Sequence, residues 1–152
     1  MRTIQKQNIW QIGFKHALVL NLLKDIFERR KIMNYKIEKG KEGELLVAQH
    51  LQKHGYTILT QNYRKRFGEV DIVAQKKDTV AFVEVKWRHN PLVDPAELIG
   101  FSKQKKIISI AKHFLAQHNE EEIICRFDVA LIEDNNNSIT LQYIENAFNA
   151  FE

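Results

Sequence analysis

The chain has 152 residues, of which 44% are hydrophobic, 28% charged and 10% aromatic. This length and composition are typical of one globular domain and leave little room for a second. The single cysteine, Cys125, excludes a disulfide framework, so we expect a cytoplasmic protein in a reducing environment.

The formal charge of +4 is unevenly distributed along the chain. Residues 1–32 hold seven Lys and Arg against two acidic residues, a charge of +5. Residues 33–152 hold the other 16 basic and 17 acidic residues, a charge of −1. Net charge is therefore no evidence that the domain binds nucleic acid, and such a site has to be argued from local clusters.

The first 32 residues differ from the rest of the chain. Residues 6–31 are predicted to form a basic amphipathic helix. Charged and polar residues interrupt the stretch 9–27, so we expect neither a membrane span nor a secretory signal. Met33 begins a new stretch, and two interpretations stay open: translation begins at Met33, or residues 1–32 are a native basic arm. We therefore divide the chain into an N-terminal segment, 1–32, and a domain, 33–152.

The domain is predicted to begin with one helix and three strands. Helical periodicity runs from about Tyr35 to His54, and Gly55 follows as a helix stop. Alternation and β-branched residues then predict strands at Tyr56–Asn62, Glu69–Gln75 and Thr79–Trp87. Since only residues 76–78 separate the last two strands, we expect a hairpin.

A second helical region and two further strands are predicted next. Asp94-Pro95-Ala96-Glu97 offers an N-cap, a first-turn proline and a third-position glutamate, which together indicate a helix start. We expect a break near Gly100 and a second start capped by Ser102, with that helix running to about Gln117. The last strands are predicted at Ile123–Glu133 and Ser138–Ile144. The element order predicts an α/β sandwich around a mixed sheet.

The predicted hairpin places four charged residues on one face of the sheet. With Lys77-Asp78 as a two-residue loop, Asp71 lies directly across from Glu84, and Glu69 lies across from Lys86. Because side chains alternate along strands, these four point to the same side. The opposite side is expected to carry the apolar residues Val70, Ile72, Val83 and Val85.

Opposed carboxylates predict a metal site. Asp71 and Glu84 would repel each other unless a cation lies between them, and Mg²⁺, with Mn²⁺ as the alternative, prefers such hard oxygen ligands. Lys86 lies two residues after Glu84, where it can orient a metal-activated water or hold a phosphate. The other interpretation, a solvated hairpin face, stays open. Against it, Val73 and Phe82 lie on the same face and indicate that the face is partly covered.

A third acidic residue is predicted on the first helix. Glu44, Ala48 and Leu51 form one helical stripe, and a carboxylate is out of place on a stripe that faces the core. Glu44 makes sense there if it reaches over the sheet to the same metal. The alternative is a boundary glutamate paired with a lysine.

Several motifs occur in a fixed order from about Gly40 to Phe148. They are Gly43-Glu44 with Ala48, Asn62-Tyr63-Arg64, Gly68-Glu69-Val70-Asp71, Val83-Glu84-Val85-Lys86-Trp87-Arg88, Lys103 with Lys106, and Arg126-Phe127-Asp128. A Glu-x-Lys alone would be a weak signal, whereas the full ordered set is specific. It resembles the YraN family of bacterial proteins, predicted endonucleases of the PD-(D/E)xK superfamily that are related to archaeal Holliday-junction resolvases.

The resemblance implies a fold, a site and a substrate. The implied fold is a restriction-endonuclease-like αβββαβ core, a mixed central sheet flanked by helices. The implied catalytic residues are Asp71, Glu84, Lys86 and Glu44, of which the three acids hold Mg²⁺. The proline of the superfamily's name is absent, since Val70 precedes Asp71. The implied substrate is DNA, in branched or single-stranded repair and recombination intermediates, and the resolvase-like relatives suggest a homodimer.

Basic clusters within the same motifs are candidate nucleic-acid contacts. Arg64 and Arg66 precede the hairpin, Arg88 ends it, and Lys103 and Lys106 open the second helix, where the helix N-terminus itself favours anions. Solvated surface positions are the alternative for all five. Beside Arg88, Trp87 is a candidate base-stacking surface.

Three further expectations concern the remaining residues and the function as a whole. Arg126 and Asp128 alternate along a strand and are expected to stabilise the sheet, with pairing to the acidic site as the alternative. Cys125 is expected to be a buried small apolar residue. The second functional hypothesis is an accessory module that binds nucleic acid on the same fold without catalysis.

Overall fold

Two helices and five strands make up the described part of the protein. The computed structural model describes residues 4–88, 99–118, 123–135 and 138–150, with side chains from residue 21 onward. The elements in chain order are α1 (Ile4–Lys53), β1 (Thr57–Lys65), β2 (Gly68–Lys76), β3 (Thr79–Arg88), α2 (Phe101–Leu115), β4 (Ile124–Asp134) and β5 (Ile139–Phe148). The chain divides into two compact units, Met1–Glu38 and Lys39–Glu152, and the sheet belongs to the second.

The first helix, α1, is continuous over 50 residues. It covers both predicted helical stretches, so the prediction of separate helices on either side of Met33 is wrong; neither glycine nor proline occurs between residues 31 and 39. The predicted stop is confirmed, because Gly55 has a left-handed backbone with φ of +84°. The N–H of Tyr56 donates to the carbonyl of Leu51 at 3.0 Å, which closes the helix end.

The five strands form one mixed sheet in the order β1-β2-β3-β4-β5. Only the β3–β4 pair is parallel; the other neighbours are antiparallel. Parallel neighbours need a long crossover connection, and here that connection contains α2. The predicted mixed α/β architecture is confirmed at this level.

Two element ends differ from the predictions, and one predicted helix start falls outside the described residues. Gly100, not Ser102, is the N-cap of α2, and it provides no side-chain cap. The last strand continues to Phe148, four residues beyond the predicted Ile144. The predicted helix start at residues 94–97 lies outside the described residues. Neither helix, as far as it is described, has a stretch long and apolar enough to cross a membrane.

Each face of the sheet carries its own hydrophobic cluster. The α2 face packs helix α2 against the sheet through Ile107, Ile110 and Phe114, with Val73, Phe82 and Val129 from the strands. The α1 face packs the end of α1 through Val47, Ala48 and Leu51, with Ile72, Val83 and Ala130 from the strands. The sheet is therefore covered on both sides, and β2, β3 and β4 contribute side chains to both clusters.

Candidate active site

The β2–β3 hairpin has the predicted register. Lys76 pairs with Thr79, and the pairing continues without a shift to Ile72 opposite Val83. The two-residue turn contains Lys77 with φ of +56°, a left-handed conformation that matches the twist of a tight hairpin. The paired ladder ends at Ile72 and Val83, so the predicted pairs Asp71–Glu84 and Glu69–Lys86 lie beyond it.

Side-chain alternation along β2 changes at Asp71. Val70 packs in the α2-face cluster, whereas Ile72 packs in the α1-face cluster, so the prediction that these two share a face is wrong. The physical reason lies in the neighbouring strand. Asn62 on β1 has φ of +53°, and it falls between the pairs Tyr63–Val70 and Gln61–Ile72, at the level of Asp71.

At this irregular point the Asp71 side chain bonds the neighbouring strand. Its Oδ2 accepts a hydrogen bond of 2.7 Å from the backbone N–H of Val85 on β3. In a regular antiparallel pair this N–H would donate to a backbone carbonyl, and here the carboxylate of Asp71 is the acceptor instead. This contact fixes the carboxylate of Asp71 against β3, beside Glu84.

Glu84 is a nearly buried carboxylate with two ammonium partners. Its side chain is 3% exposed. Lys86 Nζ lies 2.7 Å from Oε1, and Lys103 Nζ, from α2, lies 3.2 Å from the same oxygen. The second oxygen, Oε2, is buried and has no hydrogen-bond partner. A buried charge needs compensation, and the two lysines provide it at one oxygen only.

Asp71 and Glu84 are electrostatically coupled. The pKa of Asp71 is raised to about 6, first by burial, then by the negative charge of Glu84, with a smaller contribution from Glu44. The hydrogen bond from Val85 and the charge of Lys103 act against this rise in pKa. The charges of Glu84 and Glu44 therefore destabilise the ionised form of Asp71, and a bound cation would offset this repulsion.

Glu44 is positioned by the end of α1. Ala48 and Leu51, its partners on the predicted stripe, are both buried. The preceding residue, Gly43, allows close approach to the sheet, because a Cβ there would lie 3.0 Å from Ile132 Cδ1. Glu44 Oε2 accepts a hydrogen bond of 2.6 Å from Asn62 Nδ2. Its partner is therefore an amide and not the lysine considered from the sequence.

Asn62 is a site residue to which the sequence analysis gave no role. It belongs to the Asn62-Tyr63-Arg64 motif, and it joins the helix-borne Glu44 to the point where β2 changes its alternation. Asparagine is among the few residues that adopt a left-handed backbone readily. An asparagine within a run of strand-forming residues was the sequence feature that could have indicated this irregularity in β1.

The acidic residues fit a hard divalent cation through two carboxylates. Over the described ranges, no three His, Cys, Asp or Glu side chains are already gathered as a ligand group. Asp71 and Glu84 nevertheless provide two coupled carboxylates, one of which carries a buried oxygen without a partner. One or two carboxylates, completed by water and phosphate oxygens, are a usual donor set for Mg²⁺.

A basic cleft adjoins the acidic residues. It has a volume of about 440 Å³ and is lined by Arg64, Lys65, Arg66, Phe67, Gly68, Glu69, Lys103 and Lys106. Four of the five predicted nucleic-acid contacts therefore line one cleft. The fifth, Arg88, is not among its lining residues and pairs in the sheet register with Glu133.

Glu69 is the acidic residue in the wall of the basic cleft. Its Oε2 lies 2.6 Å from Arg64 Nη2, and its Oε1 lies 3.7 Å from Lys103 Nζ. The same Lys103 contacts Glu84. Lys103 therefore belongs both to the basic cleft and to the carboxylate site.

Trp87 does not offer the base-stacking surface predicted for it. Its ring atom Cε3 would lie 3.1 Å from a Cβ at Gly43, and Lys39 Nζ lies 4.5 Å from the ring centroid. The ring packs against the α1-face cluster, and its buried Nε1 lacks a hydrogen-bond partner. The sequence could not show this, because it depends on the space left by a glycine on another element.

The Arg126–Asp128 pair stabilises the sheet, as predicted. Asp128 is fully buried, and its Oδ2 accepts hydrogen bonds from Arg126 Nη2 at 2.9 Å and from Tyr143 Oη at 2.7 Å. Its Oδ1 accepts a bond of 2.8 Å from the backbone N–H of Asn146. By contrast, the prediction that Cys125 is buried is wrong, because it lies exposed near the start of β4.

Comparison with known proteins identifies the family. The sequence model described as "Uncharacterised protein family UPF0102" matches residues 43–132, more than half of the chain. The chain belongs to the UPF0102 family. The matched range runs from Gly43, where α1 approaches the sheet, through Asp71, Glu84 and Lys103 to Ile132.

Individual relatives support the same membership. A UPF0102 protein of Caldicellulosiruptor bescii is 41% identical over 120 residues, 76% of this chain and 100% of the relative. One from Caldanaerobacter subterraneus is 38% identical over 113 residues, 74% of this chain and 93% of the relative. One from Treponema pallidum is 46% identical over 95 residues, 61% of this chain and 75% of the relative. The YraN-type resemblance inferred from the motifs is thereby confirmed at the level of the family.

Proposed function

We propose that this UPF0102 protein is a metal-dependent endonuclease of the PD-(D/E)xK superfamily that hydrolyses DNA phosphodiesters. The observation that carries the proposal is the coupled pair of Asp71 and Glu84. The pKa of Asp71 is raised to about 6, and the neighbouring Glu84 has a buried oxygen without a hydrogen-bond partner. Two such carboxylates side by side are unfavourable unless a cation lies between them. Such perturbation is typical of functional sites rather than of structural hairpins.

The acidic residues are assigned to cation binding. Asp71 and Glu84 would hold Mg²⁺ or Mn²⁺ directly, and Glu44, fixed by Asn62, is the third acid of the site. When bound, the cation would supply charge neutralisation at the phosphate and a water of lowered pKa. Asp71 is kept in place for this role by the N–H of Val85.

Lys86 is assigned to the reacting phosphate and its water. Its side chain is 33% exposed, so its ammonium group reaches solvent while it contacts Glu84 Oε1 at 2.7 Å. In that position it can donate to a phosphate oxygen or orient the attacking water. Lys103 would neutralise the substrate's charge from the other side, because its ammonium group lies between Glu84 and the basic cleft.

The element order supports the restriction-endonuclease-like core. One helix, three antiparallel strands, a second helix and a strand parallel to β3 follow one another as α1-β1-β2-β3-α2-β4. Asp71 and Glu84 lie on the second and third strands, Glu44 lies on α1, and the lysines lie on β3 and α2. Action in the cytoplasm and a homodimeric assembly belong to the same proposal, and the assembly can be measured by light scattering.

Cleavage of defined DNAs tests the proposal. Labelled duplex, single strand, flap and four-way junction would be incubated with the full chain and Mg²⁺ or Mn²⁺. We expect metal-dependent cutting that is abolished in Asp71→Asn and Glu84→Gln. The matched control is Asp78→Asn, which changes an exposed carboxylate in the turn of the same hairpin. It should cut at the wild-type rate.

A second outcome would support the accessory-module hypothesis instead. If the wild type binds DNA, cuts none of the four forms with either metal, and binds no more weakly after Asp71→Asn, the nuclease proposal is overturned. The basic cleft alone would then account for binding, since its cations do not require the carboxylates.

A further inference from the structure

The turn between β1 and β2 presents an aromatic side chain to solvent. Lys65 pairs with Gly68, which leaves Arg66 and Phe67 in the two-residue turn. Phe67 is 40% exposed although large hydrophobic side chains are usually buried. Its ring contacts His113 at 5.5 Å between centroids, but neither hydrophobic cluster includes it. Contact with His113 covers part of the ring, and the rest of the ring is open to the cleft.

The surroundings of Phe67 are strongly basic. The cleft that it lines carries five cationic side chains and one acidic residue, Glu69. Glu69 is itself paired with Arg64 and Lys103, which leaves a net excess of positive charge. An exposed aromatic ring among cations matches a polyanion with flat apolar groups, which is the chemistry of a nucleotide chain.

The cleft is held against the carboxylate site by close packing. A Cβ at Gly68 would lie 2.9 Å from the carbonyl oxygen of Lys106, so the turn is in close contact with α2. Lys103, from the same helix, lines the cleft and lies 3.2 Å from Glu84 Oε1. A chain bound in the cleft would therefore meet the ammonium group of Lys103 next to Glu84.

We propose that this cleft binds an unpaired nucleotide and that Phe67 stacks on its base. The inference rests on the proposed nuclease function and names its substrate class: DNA with unpaired bases next to the phosphate at Glu84. Bases within a duplex are already stacked on their neighbours, so an aromatic side chain gains little from them. An unpaired base has a free face, and stacking on it tolerates any sequence. The volume of about 440 Å³ is that of a small-ligand site.

Binding without turnover tests the inference. Fluorescence anisotropy would compare a labelled single strand with a duplex of the same length, in EDTA so that no cutting occurs. We expect Phe67→Ala to weaken single-strand binding about tenfold and to leave duplex binding unchanged. Phe67→Trp should retain wild-type affinity, because it keeps a stacking surface. Circular dichroism would verify that both variants fold.

The control is a second exposed phenylalanine on the same side of the sheet. Phe101 begins α2, is 56% exposed and is not among the lining residues of the cleft. Phe101→Ala should therefore change neither affinity. A series of single strands, each lacking one base at a different position, would locate the stacked base. When that base is missing, Phe67→Ala and wild type should bind with equal affinity.

Two results would overturn the inference. The first is that Phe67→Ala binds the single strand with the same affinity as wild type. The second is that Phe67→Ala loses affinity equally for duplex and single strand. Both readouts are independent of catalysis, since EDTA prevents it. A protein that never cuts DNA can still satisfy this test, and an active nuclease can still fail it, so the two proposals are separable.

Discussion

The carboxylates of Asp71 and Glu84 repel each other, and this repulsion adds to burial in raising the pKa of Asp71 to about 6. Val85 holds Asp71 in place through its backbone N–H, so the carboxylate cannot swing away to relieve the repulsion without losing that bond. The hairpin thus keeps two acids together at a cost in stability, and the cost depends on pH and on cations.

The first prediction concerns pH. In the unfolded chain Asp71 titrates near its ordinary pKa of 3.8, and in the folded chain at about 6. Because the folded value is higher, its contribution to stability is fully present below the unfolded pKa and is lost as pH rises through about 6. As pH rises from below 3.8 to above 6, the free energy of unfolding of Asp71→Asn should therefore increase by on the order of 2–3 kcal/mol relative to that of wild type. Urea unfolding from pH 4 to pH 8 measures this; a constant difference would contradict it.

The second prediction concerns divalent cations. A cation that binds Asp71 and Glu84 only in the folded state should raise the free energy of unfolding, by about 2.7 kcal/mol at a concentration a hundred times its Kd. Thermal unfolding with and without Mn²⁺ or Mg²⁺ measures the shift. Glu84→Gln should abolish it, whereas Asp78→Asn should keep it. A shift that survives in Glu84→Gln would place the cation elsewhere.

The third prediction uses two glycines of α1. A methyl group at Gly43 would lie 3.0 Å from Ile132 and 3.1 Å from Trp87, whereas Gly40 has nothing within 4 Å of such a group. Gly43→Ala should destabilise the protein by about 1–3 kcal/mol through overpacking. Gly40→Ala should stabilise it by up to about 1 kcal/mol through helix propensity. Urea unfolding of both variants measures the difference, and equal effects would argue against close packing at Gly43.

The fourth prediction concerns the buried carboxylate of β4. Asp128→Ala leaves Arg126 and the N–H of Asn146 without their buried acceptor, so we expect a loss of about 3–5 kcal/mol. Tyr143→Phe removes a single bond to the same carboxylate and should cost about 1–2 kcal/mol. Denaturant unfolding compares them; similar losses would mean that the network acts through Tyr143 alone.

Sequence patterns predicted the hairpin because its register follows from local rules. Alternation placed Val73 and Phe82 together, and the two-residue turn at Lys77 fixed which residues pair. These features depend on neighbours a few residues apart. For the same reason the two acids and Lys86 could be assigned to one region before the structure was known.

Features that depend on distant elements could not be predicted. The change in alternation at Asp71 results from a left-handed Asn62 on the neighbouring strand and from a side chain that bonds the backbone of Val85. Trp87 stands between basic residues in the sequence, yet its ring packs beside Gly43 of α1. Only the assembled sheet shows that Lys103 reaches Glu84.

The parallel pairing of β3 with β4 has a consequence for the order of folding. The hairpins β1–β2 and β2–β3 close over two-residue turns, whereas β3 can pair with β4 only after the chain from residue 89 to residue 123 has formed its crossover. We therefore expect Asp71 and Glu84 to come together before the lysine of α2 reaches them. During that interval the acids lack one of their neutralising partners, so refolding should be faster when a divalent cation is already in the solution.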